Sequence, residues 1–467
     1  MNVDNLRKIW NQRYQIVPIQ LDKIKKISSV ATAFNTNIDA IFKISGAKLG
    51  DLIAEYNIKP AELENIKITK FRKPEDAVIG IFKCFTKGIA EEWVTEDIKV
   101  YQWLEKNLGY NHLQMGGQGG IIANALALLG IKQVVAHTNS HPYLQAKQFL
   151  DLENLYGLDK DGKLKKAISI SREEDIPLIH WIIEFDKGDS VNIGGKIYTC
   201  PKSNRFIATY DPLNMNLVIN PHFADYMDKS KTEYLLLSGF HPLLAHNNGV
   251  KLIDNAVSII EKWKKNNPNM IIHLEIASTQ DKVIRKAIID KIAPLCQSAG
   301  LNERETIDLL EILGKGKLVD RIEKETSAVN LFDAILFLKE TLNIPRIQLH
   351  MFGLYLTLQD ERFPFTAEQN LCGMVTAAVV SSSKALVGSL EKYDDVAKAL
   401  GYSVSDIGLQ EISALAEKLK KPDLAETGVC LYHGYKVSAI PTIIIDNPKT
   451  LVGMGDTISS VSLLAGR

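Results

Sequence analysis

Near its C-terminal end the sequence reads Val452-Gly453-Met454-Gly455-Asp456-Thr457, between a turn-like stretch at 446–450 and a helix-like run at 458–464. Two glycines let a backbone turn tightly and leave main-chain N–H groups open at a helix start, a ready site for an anion. Asp456 would stand beside that anion as a candidate general base, able to take the proton of a hydroxyl as it attacks a phosphoryl group. The competing reading is an ordinary helix N-cap, because Asp is favoured at that position and Gly is common just before it. A second cluster, Met115-Gly116-Gly117-Gln118-Gly119-Gly120, precedes a helix-like run at 121–129. It lets a polar ligand approach the backbone closely, with the Gln118 amide as donor and acceptor. It lacks the G-K-[ST] of a Walker A loop, and a plain strand-to-helix turn is its structural alternative.

Phosphoryl transfer also calls for a divalent cation, which Mg²⁺ chemistry meets with one or two carboxylates and waters. His273-Leu274-Glu275 ends an apolar strand candidate, with His273 and Glu275 on one side by the two-residue period. Asn302-Glu303-Arg304-Glu305 opens a helix-like run, where Asn302 and Glu305 also fit a capping box. Lys187 and Arg205 supply cations near strand ends, Arg suiting bidentate phosphate contact and Lys acting as a point charge.

The elements that would hold these groups alternate. Short apolar runs at 28–34 (SSVATAF), 133–137 (QVVAH), 234–237 and 270–274 end in polar residues, and amphipathic stretches such as 249–264 separate them. That pattern predicts βα units and a parallel sheet, with ligands beyond the carboxyl ends of its strands. Two stretches break the rhythm. Residues 41–110 are charged and mostly helix-like, with a helix predicted over 75–93, and residues 168–217 hold strand candidates at 178–185, 196–200 and 205–208, with a Gly194-Gly195 hairpin signal. Both read as insertions that build a lid. The C-terminal 441–445 reads as a further strand.

Composition bounds the rest. The chain has 467 residues, 46% hydrophobic and 24% charged, which fits a globular protein with a large core and excludes a disordered or collagen-like chain. Lys plus Arg and Asp plus Glu are 55 each, so there is no basic excess of the kind a general nucleic-acid binder carries. The five cysteines are scattered and odd in number, the pattern of reduced thiols in a cytosolic protein. The polar N-terminus and the lack of an unbroken apolar run of ~18 residues predict a cytoplasmic chain with neither leader nor membrane span.

Taken in order, Asn35-x-Asn37-x-Asp39, Gly116-Gly117-Gln118-Gly119-Gly120, Asn204-Arg205-Phe206-Ile207, His273-x-Glu275, Asn302-x-x-Glu305 and Gly453-x-Gly455-Asp456 resemble the archaeal ADP-dependent sugar kinases, the glucokinase and phosphofructokinase group of the ribokinase-like superfamily. The resemblance implies an α/β fold: a large three-layer α/β/α domain with a mostly parallel central sheet (residues 1–38, 111–167 and 218–467) and a smaller α/β lid (39–110 and 168–217). It further implies ADP as donor, AMP as by-product and Mg²⁺, organised by Glu275 and Glu305. Asp456 becomes the catalytic base, with the backbone of Gly453, Met454 and Gly455 as the anion hole. Asn35, Asn37, Asp39, Gly117 and Gln118 become sugar ligands, Arg205 a ligand of a nucleotide or sugar phosphate, and His350 and Ile440 adenine contacts. Lys187 with Arg205 favours fructose 6-phosphate as acceptor. Glucose, or use of both sugars, is the alternative, because the glucokinases of the group use a lid carboxylate that would fall within 75–92. An ATP-dependent ribokinase-type enzyme and a non-catalytic nucleotide sensor are more distant readings.

Overall fold

The computed structural model describes residues 3–467 apart from 65, 67, 69, 96 and 280. Its main sheet has 11 strands, ordered Val429–Tyr432, Tyr435–Pro441, Leu354–Gln359, Arg346–Met351, Ser298–Leu301, Ile271–Glu275, Tyr234–Leu237, Val30–Ala33, Val134–Ala136, Leu155–Leu158 and Leu164–Lys166. From Arg346–Met351 across to Leu155–Leu158 neighbouring strands run parallel, and the pairs at both edges are antiparallel. The central strands are buried on both faces, as helices on either side require: Tyr234–Leu237 and Ser298–Leu301 have no exposed position. Helices Gln118–Leu128, Ala367–Val387 and Met454–Ala465 pack together on one side, while Ala328–Leu342 and Asp406–Leu419 pack against one another and the antiparallel edge. Ala367–Val387 is long and apolar enough to cross a membrane, yet 78% of that window is buried in the core.

A second sheet has five strands, ordered Glu91–Val94, Asn204–Thr209, Ile179–Phe185, Asn37–Lys43 and His112–Gly116. One face meets helices Gly46–Glu55 and Pro74–Lys87 in a core of its own that includes Ile38, Ala40, Trp93, Trp181, Phe206 and Phe82. By the two-residue period the opposite face carries Asp39, Gln114, His180, Glu184, Arg205, Thr209 and Glu92. The sheet begins at Asn37 and takes in His112–Gly116, so its edges differ from the expected 39–110. Asn37 pairs with Gly116 and Asp39 with Gln114, which places two of the four chain connections to the large unit, the two short ones, inside the glycine and asparagine motifs.

Several elements differ from expectation for local reasons. The helix predicted over 75–93 ends at Lys87, where Gly88 takes a left-handed conformation (φ 62°), and Glu91–Val94 then forms an edge strand. Gly194 and Gly195, both at positive φ, close a two-stranded ribbon of Ser190–Ile193 and Lys196–Thr199, so the strand at 196–199 does not pair with Ile179–Phe185. The strand expected over 441–445 lies at Tyr435–Pro441. Proline has no N–H to continue a ladder, and Thr442 donates instead to the Gly353 carbonyl.

Candidate active site

The carboxyl ends of the central parallel strands and the starts of two helices converge. Gly453 holds the left-handed backbone (φ 63°) that begins helix Met454–Ala465, and no side chain caps that helix. Its first N–H groups are therefore left for another partner. Asp456 is in the first turn, not at the N-cap, and its Oδ1 accepts a hydrogen bond from Gln118 Nε2 at 3.0 Å. Burial raises its pKa, opposed by the Gln118 bond and the charge of Lys384. Gln118 is the first residue of helix Gln118–Leu128 and follows Gly117 at φ 74°. A methyl group on Gly117 would stand 2.7 Å from Asn37 Oδ1 and 2.8 Å from the Asn35 carbonyl, so the turn closes only around glycine. The two glycine motifs, far apart in sequence, are thus joined through one amide–carboxylate bond.

Asn35 follows strand Val30–Ala33, and its carbonyl accepts the Gly119 N–H at 2.9 Å. Asn37 Nδ2 donates to Asp39 Oδ1 at 2.9 Å. Burial lifts Asp39 to about 6, against the pull of His180, the Asn37 bond and Arg205. Asn35 Oδ1, Gln118 Oε1 and His241 Nδ1 are buried with no hydrogen-bond partner among the described residues. Orphaned polar atoms of this kind mark where a polar ligand or water belongs.

Glu275 ends strand Ile271–Glu275, with His273 Nε2 at 3.3 Å from its Oε2 and His350 Nε2 at 3.9 Å from its Oε1. Burial, then Asp456 and Glu305, push its pKa well up. Glu305 completes a capping box: its Oε2 accepts the Asn302 N–H at 2.8 Å, and its own N–H donates to Asn302 Oδ1 at 3.0 Å. Burial raises it to about 8, opposed by the Asn302 N–H and reinforced by Asp456. No three His, Cys, Asp or Glu side chains among the described residues are close enough to cage a metal ion unaided. What Glu275 and Glu305 provide is a pair of hard, buried oxygen donors with no Lys or Arg in ion-pair contact among the described residues, and burial without such a cation favours their protonated forms.

Other expected residues lie apart. Ile440 is fully buried in the large core and presents no surface to a ligand. His350, held at about 4 by burial, faces Glu275 and Ser459. Lys187 is exposed on the turn beyond Ile179–Phe185, its N–H donating to Ser203 Oγ. Arg205 pairs in register with Glu184, four residues along the strand from His180, and has no side-chain ion pair among the described residues.

The sequence reading missed a polar cluster beside Asp39. His180 Nε2 is 3.0 Å from Asp211 Oδ2, and Thr209 Oγ1 donates to Glu92 Oε1 at 2.7 Å. Burial opposes charge on His180, but the Asp211 hydrogen bond and charge, with Glu92 and Asp39, raise it to about 9. His241, after strand Tyr234–Leu237, faces the same group from the large sheet. Lys384, on helix Ala367–Val387, was missed too. A cavity of about 660 Å³ runs from Ile41, His112 and Gln114 of the small sheet to Lys384, Lys449 and Thr457 of the large unit.

Residues 28–465 match a region described as the ADP-specific phosphofructokinase/glucokinase conserved region. The chain is 27% identical over 474 residues to the ADP-specific phosphofructokinase of Methanosarcina acetivorans, covering 98% of this chain and 96% of that one. It is 30% identical over 465 residues to the ADP-dependent glucose/glucosamine kinase of Pyrococcus abyssi, covering 98% of each. Among solved structures it resembles an ADP-dependent kinase in complex with fructose-6-phosphate and ADPbetaS, with a TM-score of 0.84 and 28% identity over 100% of this chain and 98% of that one. An uncapped helix start, a carboxylate beside it and these similarities agree: the chain belongs to the ADP-specific phosphofructokinase/glucokinase family of ADP-dependent sugar kinases.

Proposed function

We propose that this protein transfers the β-phosphoryl group of ADP to a hexose hydroxyl and releases AMP, with Asp456 as general base. The observation that carries the reading is the meeting of an uncapped helix start, the buried Asp456 carboxylate and the Gln118 amide. The hydroxyl oxygen attacks the β-phosphorus, Asp456 takes the hydroxyl proton, and the bond to the bridging oxygen breaks with its electron pair remaining on AMP. The N–H groups at 453–455, at the positive end of the helix, receive the charge of the moving group. Asn35, Asn37, Asp39, Gly117 and Gln118 hold sugar hydroxyls, a role supported by the orphaned Asn35 Oδ1 and Gln118 Oε1. Arg205 is available to a phosphate. Glu275 and Glu305 would hold Mg²⁺ in part through waters, their hard, buried oxygens fitting such an ion, which when bound would neutralise phosphate charge. The small sheet serves as a lid that excludes water.

For the acceptor, the charge around Asp39 supports an unphosphorylated hexose. Asp39, Glu92 and Asp211 surround one imidazolium, His180, and this excess of carboxylate repels a sugar phosphate while accepting hydrogen bonds from sugar hydroxyls. Glu92 is also the acid within 75–92 that shares the Asp39 face of the small sheet. The fructose 6-phosphate reading retains one observation, the free Arg205 guanidinium whose field reaches Asp39. AMP release from ADP and Mg²⁺, measured with glucose and with fructose 6-phosphate, separates the two. A higher kcat/KM for glucose is expected, and a preference for fructose 6-phosphate would overturn the acceptor assignment.

A further inference from the structure

Lys384 is the only charged side chain between Glu368 and Gly388, in a helix otherwise made of small and apolar residues on its last turns. Its Nζ is 3.3 Å from the Gly453 carbonyl oxygen and 3.5 Å from Thr457 Oγ1. The same carbonyl accepts Thr457 Oγ1 at 2.8 Å and the Thr457 N–H at 3.2 Å. A methyl group on Gly453 would stand 3.0 Å from Nζ, so the ammonium lies directly against the turn that opens the anion site. No carboxylate among the described residues is within ion-pair distance of it. Burial lowers Lys384 to about 8, while Asp456 and Asp39 draw it back up. The ammonium is half-buried on the wall of the cavity with a carbonyl and a hydroxyl for partners, and a Met or Leu would cover the turn there without the cost of partly desolvating a charge. Placement against the catalytic turn gives the charge a use.

We propose that Lys384 is a positioning residue for phosphoryl transfer: its charge grips the Gly453 carbonyl, aims the N–H groups at 453–455 at the moving phosphoryl group and stands behind Asp456 as a fixed cation. This rests on the reading of Asp456 as base and of 453–455 as the anion turn. The test compares Lys384→Arg, Lys384→Gln and Lys384→Met with Asp456→Asn, measuring AMP release at varied ADP and hexose, ADP binding by calorimetry, and thermal unfolding. Lys384→Gln and Lys384→Met are expected to lower kcat on the order of 10–100-fold with both KM values and ADP affinity within about threefold, and Lys384→Arg to recover most of the loss. Lys384→Gln matching Lys384→Arg, or a loss carried entirely by KM, overturns the inference. Should Lys384→Met fail to fold, the Arg and Gln variants, which both keep donors, still decide whether charge is required. Near-normal turnover in Asp456→Asn would remove the assigned base and this inference with it. An inactive Asp456→Asn beside a normal Lys384→Gln removes this inference alone.

Discussion

His180 carries a charge that its burial resists, and Asp211, Glu92 and Asp39 sustain it. Its folded pKa, about 9, lies above the ordinary 6.5, so the folded state binds this proton more tightly than the unfolded chain. The stabilisation is full below about pH 6.5 and fades as pH rises through about 9. His180→Gln should therefore lose less melting temperature between pH 6.5 and 9.5 than the wild type, and an equal loss in both would refute the pairing. Glu92 makes the sharper functional prediction. If it accepts a hydrogen bond from an uncharged hexose, Glu92→Ala should cut kcat/KM for glucose by roughly 10–100-fold, the ~1.5–3 kcal/mol of a hydrogen bond to a charged group. Activity on fructose 6-phosphate should hold or rise; equal losses on both sugars count against an acceptor role. Asp456 and Gln118 were legible because glycine beside a polar side chain at a helix start is local chemistry. Glu92 was legible only as some acid within 75–92, and His180, Asp211 and His241 were not, because strand pairing and a crossover between sheets bring them together.

At the scale of elements, helix Glu303–Ile312 shows how one side chain serves two ends. The capping-box alternative for Asn302 and Glu305 holds, and the same Glu305 lies in the field of Asp456. Glutamine can fill the N3 position of a capping box without charge. Glu305→Gln is accordingly expected to leave the metal-free enzyme as stable as the wild type or more so, while raising the Mg²⁺ concentration needed for half-maximal turnover by about tenfold or more. A melting temperature that falls with unchanged Mg²⁺ dependence would assign Glu305 to the cap alone. The strands fared as their chemistry allowed. Apolar runs ending in polar residues were placed to within a residue or two, whereas 441–445 was misplaced because the ladder stops at Pro441, and the helix over 75–93 ran past Gly88 because its left-handed stop was overlooked.

At the scale of the whole molecule, the chain crosses four times between two hydrophobic cores, and two of the crossings are short: Asn35 and Thr36 lie between strands Val30–Ala33 and Asn37–Lys43, and Gly117 lies between strand His112–Gly116 and helix Gln118–Leu128. The alternating pattern foretold the large sheet, and the two interruptions foretold the second. The exact crossings could not be read, since a strand that starts in the middle of a motif carries no turn signal of its own. If the small unit is a lid, ADP together with a hexose should reduce the radius of gyration in small-angle scattering more than either ligand alone. An unchanged radius would leave the small unit as a fixed wall. The crossings themselves have a consequence for fidelity. Asn35 and Gly117 are at once the proposed grip on the acceptor and part of the two shortest pieces of chain that join the two units. An acceptor that fits them poorly would also be a poor trigger for closure, and a lone water molecule, too small to span both crossings, would leave the cleft open and ADP unspent.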